Sequence, residues 1–163
     1  MDIRRITKSA MVAALTITAA FAAIGPAAAS TNGTTEGCTP GYWKTHTTNW
    51  NDASDPGEMV TYAPNQTVGT YFNVSEPFAS MTLLQALDGS GGKGISGATT
   101  VLLRAAVAAM LNAAYELDYP YQRFGSDGLI AQVNAAIASG DRDTILALAS
   151  RLDIANNLGC PLN

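Results

Sequence analysis

The sequence predicts a mainly α-helical fold, a small helical bundle with a loop-rich N-terminal segment and a disulfide between the two end regions. Its second half is rich in alanine and leucine at helical spacing. Residues 50–73 are rich in Asn, Asp, Gly, Pro, Thr and Tyr, which favours loops. We expect a signal peptide over residues 1–29, a flexible leader over 30–36 and a single helical domain over 37–163.

The first 29 residues have the layout of a secretory signal peptide. A basic start, MDIRRITKSA, precedes an apolar run that ends in GPAAAS. Small residues at Ala27 and Ala29 fit the A-x-A cleavage rule, so we expect a mature chain that starts at Ser30. The apolar run is too short for a membrane-spanning helix. The Arg4–Arg5 pair leaves twin-arginine export as the less favoured route.

The chain is acidic, with 13 Asp and Glu residues against 9 Lys and Arg and a formal net charge of −4. Removal of the basic signal peptide makes the mature chain more acidic still. Such a chain lacks the basic patch with which proteins bind nucleic acid or anionic membranes. We therefore expect neither nucleic acid as a partner nor membrane insertion of the mature chain. Roughly 130 mature residues suit one domain with its own core.

The chain has two cysteines, Cys38 and Cys160. In an oxidising compartment a bond between them within one molecule is favoured, and it would restrict the unfolded chain by closing a long loop. Pairing between molecules and free thiols are the alternatives. A zinc site would need His46 and a carboxylate as further ligands, and we expect no metal and no cofactor.

The first helix is expected in the opening motif CTPGYWKTH. Thr39 is a suitable N-cap, and Pro40 fits the first helical position because its missing N–H would have no helical partner there. If this helix continues, Trp43, His46 and Trp50 share one face, since they are three and seven residues apart.

The candidate binding residues are Tyr42, Trp43, His46 and Trp50. The favoured interpretation is that both indoles pack against the alanine-rich helices and that His46 is a hydrogen-bonded core or rim residue. The alternatives are an aromatic face that binds a ligand and a catalytic or metal-binding His46.

Residues 50–73 are expected to form loops and at most one short hairpin. MVTY and TVGTYFNV contain strand-forming residues on either side of the turn-forming APNQ, but two strands make a marginal sheet. The acidic stretch NDASDPGE, residues 51–58, offers oxygen ligands for Ca²⁺. It lacks the glycine spacing of an EF-hand, so a solvated loop is favoured.

Four further helices are predicted from apolar residues at helical spacing. The second begins at Ser75 or Ser80 and ends at Asp88, before the glycine-rich connector GSGGKG. The third is apolar on nearly all sides, which indicates the centre of the bundle. Asp141 caps the fifth, and Ser126 or Asp127 caps the fourth. The third to fifth helices are expected over residues 96–117, 126–140 and 141–159.

Arg104, Asn112 and Glu116 are the polar residues of the third helix. We expect them to form one buried polar stripe, because steps of eight and four residues keep side chains near one face. A buried arginine must be paired, so the stripe is expected to tether a loop, with ligand binding as the alternative.

The chain resembles a module of secreted and cell-surface proteins of bacteria and archaea. The motifs that carry the resemblance are CTPGYWKTH at residues 38–46, DYP, and ANNLGCPL at residues 155–162, with the glycine-rich connector between them. The resemblance covers about residues 37–162 and implies an extracellular setting and a paired Cys38 and Cys160. It transfers no catalytic residue.

These observations predict a secreted binding or structural module at the cell surface or in the extracellular matrix, without catalysis. Its partner would be a cell-surface or matrix component, either protein or glycan. One alternative is a small secreted hydrolase that uses His46 in an aromatic cleft, although the G-x-S-x-G motif of serine hydrolases is missing. Another is a self-assembling extracellular subunit, which would expose a large apolar patch.

The surroundings of His46 separate the module from the hydrolase. An enzyme would place His46 in an open cleft beside a carboxylate. The module would bury it among aromatic rings.

Overall fold

The computed structural model describes residues 36–50, 62–115 and 118–162. Within these ranges the chain forms five α-helices, and the predicted mainly helical class is confirmed. Two isolated bridges are the only β-type pairing among the described residues. The helices α1 to α5 cover Pro40–Thr45, Leu83–Leu87, Gly94–Ala114, Leu129–Ala138 and Arg142–Asn156, and two short 3₁₀ helices cover Thr47–Trp50 and Val68–Thr70.

The helix α3 lies at the centre of the domain. It contacts α1, α2, α4 and α5, most extensively α5. Its alanines at 105, 106, 108 and 109 are buried, and their small side chains let neighbouring elements approach closely. Among the described helices, α3 alone is long and apolar enough to cross a membrane, but 67% of its apolar window is buried inside the domain. It therefore serves as the core helix of the bundle.

The start of α1 agrees with the sequence prediction, and its end does not. Thr39 is the N-cap and its hydroxyl accepts a hydrogen bond from the Tyr42 N–H at 3.1 Å. The helix ends at Thr45 because His46 leaves the helical conformation, with φ −116° and ψ 53°. The expected continuous helical face over Trp43, His46 and Trp50 is therefore wrong, since Trp50 belongs to the following 3₁₀ helix.

The predicted boundaries of the middle helices need correction. The helix α2 begins after Thr82 and not at Ser75 or Ser80, because Thr82 and Gln85 form a capping box. Gly128, and not Ser126 or Asp127, caps α4. Its N–H closes a turn on the Gly125 carbonyl at 3.2 Å.

The two remaining helices agree better with the prediction. The helix α3 starts at Gly94, two residues early, where the connector ends with a positive φ of 68° that glycine adopts easily. It ends at Ala114, whereas residues 116–117 of the predicted range lie outside the described part. The expected cap of α5 is confirmed, because the Asp141 carboxylate accepts the Thr144 N–H at 2.9 Å.

The second expected strand, TVGTYFNV, contains the 3₁₀ helix Val68–Thr70. The Val68 N–H donates to the Met81 carbonyl at 2.8 Å and the Gly69 N–H to the Ala79 carbonyl at 3.1 Å, so the segment pairs with a loop. Most of the first expected strand, MVTY, lies outside the described residues. The same holds for the possible Ca²⁺ loop at 51–58, the signal peptide and all but the last residue of the leader.

The two ends of the domain are fastened together. Cys38 and Cys160 form a disulfide with their Cα atoms 4.4 Å apart, which confirms the predicted pairing. The Gly37 N–H donates to the Gly159 carbonyl at 2.8 Å. A Cβ atom at Gly37 would overlap the Ala155 carbonyl, so glycine is required for this close approach to the end of α5.

Loss of the disulfide should destabilise the fold. The two cysteines are 122 residues apart, and closing a loop of this size restricts the unfolded chain. We expect Cys38→Ala/Cys160→Ala to lose about 2–5 kcal/mol of unfolding free energy, measured by urea denaturation followed by tryptophan fluorescence. Reduction of the unaltered protein is the control and should cause a similar loss. A loss below about 0.5 kcal/mol in both experiments would contradict this expectation.

Candidate functional site

The opening motif is held in place by the buried side chain of Asn112 on α3. Its Oδ1 atom accepts the Cys38 N–H and the Trp43 Nε1–H, both at 2.9 Å. Its Nδ2 atom donates to the Cys38 carbonyl at 3.0 Å and to Asn156 Oδ1 at 2.9 Å. All four hydrogen-bonding positions of the amide are thereby occupied. Asn112 thus binds both the N–H and the carbonyl of Cys38, the two groups that a neighbouring β-strand would bind in a sheet.

Asn156, at the end of α5, extends this network. Its Oδ1 atom also accepts the Tyr119 hydroxyl at 2.6 Å, and its Nδ2 donates to the Ala105 carbonyl at 3.0 Å. Burial, and the neighbouring Tyr121, raise the pKa of Tyr119 above its usual range. Tyr119 therefore stays a neutral donor. Asn156 lies in the closing motif ANNLGCPL, but no spacing or composition signal in the sequence marks it as a member of this network.

The predicted buried polar stripe is correct for Asn112 and wrong for Arg104, whose side chain is exposed. Eight residues at 100° each leave the two side chains about 80° apart around the helix, so one faces the core while the other faces solvent. Glu116 lies outside the described residues. The arginine that is buried is Arg123, which donates to the Tyr62 hydroxyl at 3.3 Å and has its guanidinium carbon 5.1 Å from the Phe124 ring centre.

Both tryptophans belong to the core. Trp43 is fully buried and lies against the Tyr115 ring, with ring centres 5.7 Å apart. Trp50 is 4% exposed, and its Nε1–H donates to the Trp43 carbonyl at 2.9 Å. Both indoles therefore belong to the hydrophobic core, and their faces are not open to a ligand.

Tyr42 joins the opening motif to the C-terminal end of the chain. Its hydroxyl donates to the Leu162 carbonyl at 3.0 Å and accepts the Asn49 Nδ2–H at 2.8 Å. Its ring lies under the imidazole of His46, with ring centres 4.2 Å apart and planes 12° from parallel. Tyr42 is consequently buried, while His46 above it is exposed.

The orientation of the His46 ring follows from its hydrogen bonds. Nδ1 lies 2.9 Å from the Tyr42 carbonyl and 3.0 Å from the Thr45 hydroxyl. Because a carbonyl can only accept, we assign the proton of the neutral ring to Nδ1. Nε2 is then an acceptor, and it has no partner among the described residues. This arrangement is neither the burial among rings expected of the module nor the carboxylate-flanked cleft expected of the hydrolase.

An open groove of about 380 Å³ lies beside His46 and the disulfide. Its lining comes from residues 37–46 and 157–160, which the disulfide and the hydrogen bond between Gly37 and Gly159 hold together. Among the described residues, no Asp, Glu, Lys or Arg lines it. Its lining residues are Gly37, Thr39, Gly41, Tyr42, Thr45, His46, Asn157, Gly159 and Cys160.

Two further side chains of the groove have unused hydrogen-bonding capacity within the described residues. The Thr39 hydroxyl accepts the Tyr42 N–H, and its own hydrogen has no acceptor there. Asn157 donates from Nδ2 to the Asp153 carbonyl at 2.7 Å, which leaves its Oδ1 without a donor. Together with His46 Nε2 and the second hydrogen of Asn157 Nδ2, these atoms give the groove two donors and two acceptors among the described residues.

The groove is not arranged for metal binding. Over the described ranges no group of three or more His, Cys, Asp or Glu side chains could hold an ion. Both cysteine sulfur atoms are joined in the disulfide. Among the described residues, His46 therefore has neither partner ligands nor a carboxylate that could orient it as a general base.

No protein-family model, curated protein or solved structure matches the chain. The resemblance of its end motifs to a secreted module stays a prediction. The function of this chain is therefore inferred from the geometry of the groove.

Removal of the Asn112 amide should lower the free energy of unfolding. Asn112→Ala leaves the Cys38 backbone groups and the Trp43 Nε1–H buried without their partner. We expect a loss of about 3–5 kcal/mol of unfolding free energy in urea denaturation. Asn134→Ala is the matched control, because Asn134 accepts one hydrogen bond, from the exposed Asn73 N–H, and should cost less than about 1 kcal/mol. Equal losses for the two variants would disagree with this assignment.

Proposed function

We propose that the chain is a secreted extracellular binding module without catalytic activity. Its recognition site is the groove beside the disulfide, and its partner is a cell-surface or matrix component, protein or glycan. The observation that supports this best is the exposed His46 ring stacked on Tyr42, at the edge of an open groove. Within the part of the chain that the structure describes, this groove holds unused hydrogen-bonding groups and no Asp or Glu side chain.

The disulfide supports an extracellular setting. Bonds of this kind persist in oxidising compartments and are rare in the reducing cytosol. The Cys38–Cys160 bond also joins the two chain segments that line the groove. A site assembled in this way depends on oxidation, which suits a protein that works outside the cell.

A hydrolase is less well supported. A histidine base is ordinarily oriented by a carboxylate or a similar group and lies within hydrogen-bonding reach of the nucleophile or water that it activates. Nδ1 of His46 instead faces a backbone carbonyl and the Thr45 hydroxyl, and the latter donates to the Gly41 and Tyr42 carbonyls. The groove thus holds a histidine without the rest of a catalytic arrangement.

Self-assembly through an apolar surface is also less well supported. The large exposed apolar side chains among the described residues lie in three places: at the start of α3, in the connection between α3 and α4, and at the end of α5. They are Ile95, Phe124, Ile154 and Leu158. Scattered apolar side chains are normal on the surface of a monomer.

Secretion is tested by expressing the full chain in a bacterium with a general secretion pathway. We expect the protein in the periplasm or medium, with Ser30 as its first residue by N-terminal sequencing, because Ala27 and Ala29 fit the cleavage rule. Its electrophoretic mobility should change on reduction. A product that remains in the cytoplasm with its first 29 residues attached would contradict the proposal.

Binding is tested by capture of the purified protein on insoluble envelope and matrix material from the organism that produces it. We expect His46→Ala and Asn157→Ala to bind at least 10-fold more weakly, because each removes an exposed group of the groove. Lys44→Ala is the control, since Lys44 pairs with Asp88 at 2.8 Å on the exposed surface and does not line the groove.

Two results would overturn the proposed function. One is capture that is equal for the unaltered protein and both groove variants. The other is a defined chemical turnover that disappears in a normally folded His46→Ala. Melting temperatures of all variants separate a loss of binding from a loss of folding. Trp50→Ala is unsuitable for this purpose because Trp50 belongs to the core.

A further inference from the structure

We propose that the groove binds a neutral glycan, a step that rests on the proposed binding function and names the class of its ligand. The site would hold one or two sugar units that carry no carboxylate, sulfate or amine. Three features of the groove support this inference: its aromatic wall, its neutral hydrogen-bonding groups and its lack of charged side chains.

The aromatic wall is rigid and partly open. His46 lies on Tyr42 at 4.2 Å between ring centres, and both of its hydrogen bonds hold Nδ1 in place. One ring face is covered by Tyr42, and the residue is nonetheless exposed. A flat aromatic surface of this kind suits the C–H face of a sugar ring, which is apolar although the ring carries hydroxyls at its edge.

The hydrogen-bonding groups suit hydroxyls. The Thr39 hydroxyl can donate, whereas His46 Nε2 and Asn157 Oδ1 can accept. A sugar hydroxyl does both, so neighbouring hydroxyls of one sugar unit can satisfy this mixture. A ligand that only accepts, such as a phosphate, would leave both acceptors of the groove without a donor.

Among the residues that the structure describes, no Asp, Glu, Lys or Arg lines the groove, and this disfavours charged ligands. A charged group that enters the groove would lose hydration without gaining an ion pair. The cation next in sequence to the groove, Lys44, is already paired with Asp88.

An extended peptide is less suitable than a sugar. Peptides that bind as an added β-strand need free backbone N–H and carbonyl groups at the edge to which they add. In this groove the Gly37 N–H is donated to the Gly159 carbonyl, and next to it both backbone groups of Cys38 are bound by Asn112. The groove also offers side-chain hydroxyl, imidazole and amide atoms, which suit a sugar.

The test uses the purified, disulfide-bonded protein on an array of neutral oligosaccharides built from hexose and N-acetylhexosamine units. The same array carries these oligosaccharides with sulfate or uronic acid groups. We expect binding to at least one neutral oligosaccharide and at least 10-fold weaker binding to its charged derivatives. Calorimetry with the best neutral oligosaccharide then measures the affinity.

Variants connect this binding to the groove. His46→Ala and Asn157→Ala should each weaken the calorimetric affinity at least 10-fold, and Lys44→Ala should leave it unchanged. His46→Phe keeps an aromatic ring but lacks Nε2, so its affinity should lie between those of the unaltered protein and His46→Ala. Unchanged affinity in His46→Ala, with a melting temperature like that of the unaltered protein, overturns the proposal.

Failure of this inference can be distinguished from failure of the proposed function. If no neutral oligosaccharide binds, and capture on envelope material depends on His46 but is abolished by protease treatment of that material, the partner is a protein. The groove is then still a binding site, and the glycan assignment is wrong. If neither oligosaccharides nor envelope material bind, both proposals are wrong.

Discussion

One side-chain amide, that of Asn112, sets the arrangement of this domain. Alanine-rich helices present smooth surfaces that could slide past one another, because small side chains interlock weakly. Asn112 removes that freedom by binding both backbone groups of Cys38, the indole of Trp43 and the amide of Asn156. A polar group in an apolar interior is costly unless fully paired, so arrangements that separate these partners are strongly disfavoured.

Local capping signals were sufficient to predict the starts of α1 and α5 but not those of α2 and α4. Thr39 before Pro40 and Asp141 before α5 are local capping signals, and both caps form as predicted. Whether a side chain of the bundle is buried or exposed depends instead on tertiary packing. Arg104 and Asn112 belong to the same helix and to the same polar class, yet only the elements that cover Asn112 decide which of them is buried. The spacing along α3 places the two side chains in different directions, but it does not show which of them the other elements cover.

The candidate site was harder to predict than the fold. The strongest compositional signal in residues 37–50, the two tryptophans, marks the core, whereas the histidine between them lies at the surface. The groove has walls from residues 37–46 and from residues 157–160, which the chain separates by more than 100 positions. Their meeting follows from the end-to-end bond. The unused oxygen of Asn157 is visible only once its amide is seen to bond within α5.

The joined ends have a mechanical consequence. The disulfide joins Cys38, which precedes α1, to Cys160, which follows α5, so it bridges the two ends of the helical domain. Tension applied at residues 36 and 162 would pass from one end to the other through the covalent sulfur–sulfur bond. The helices between them would carry almost none of it, so a stretched molecule would keep its interior folded.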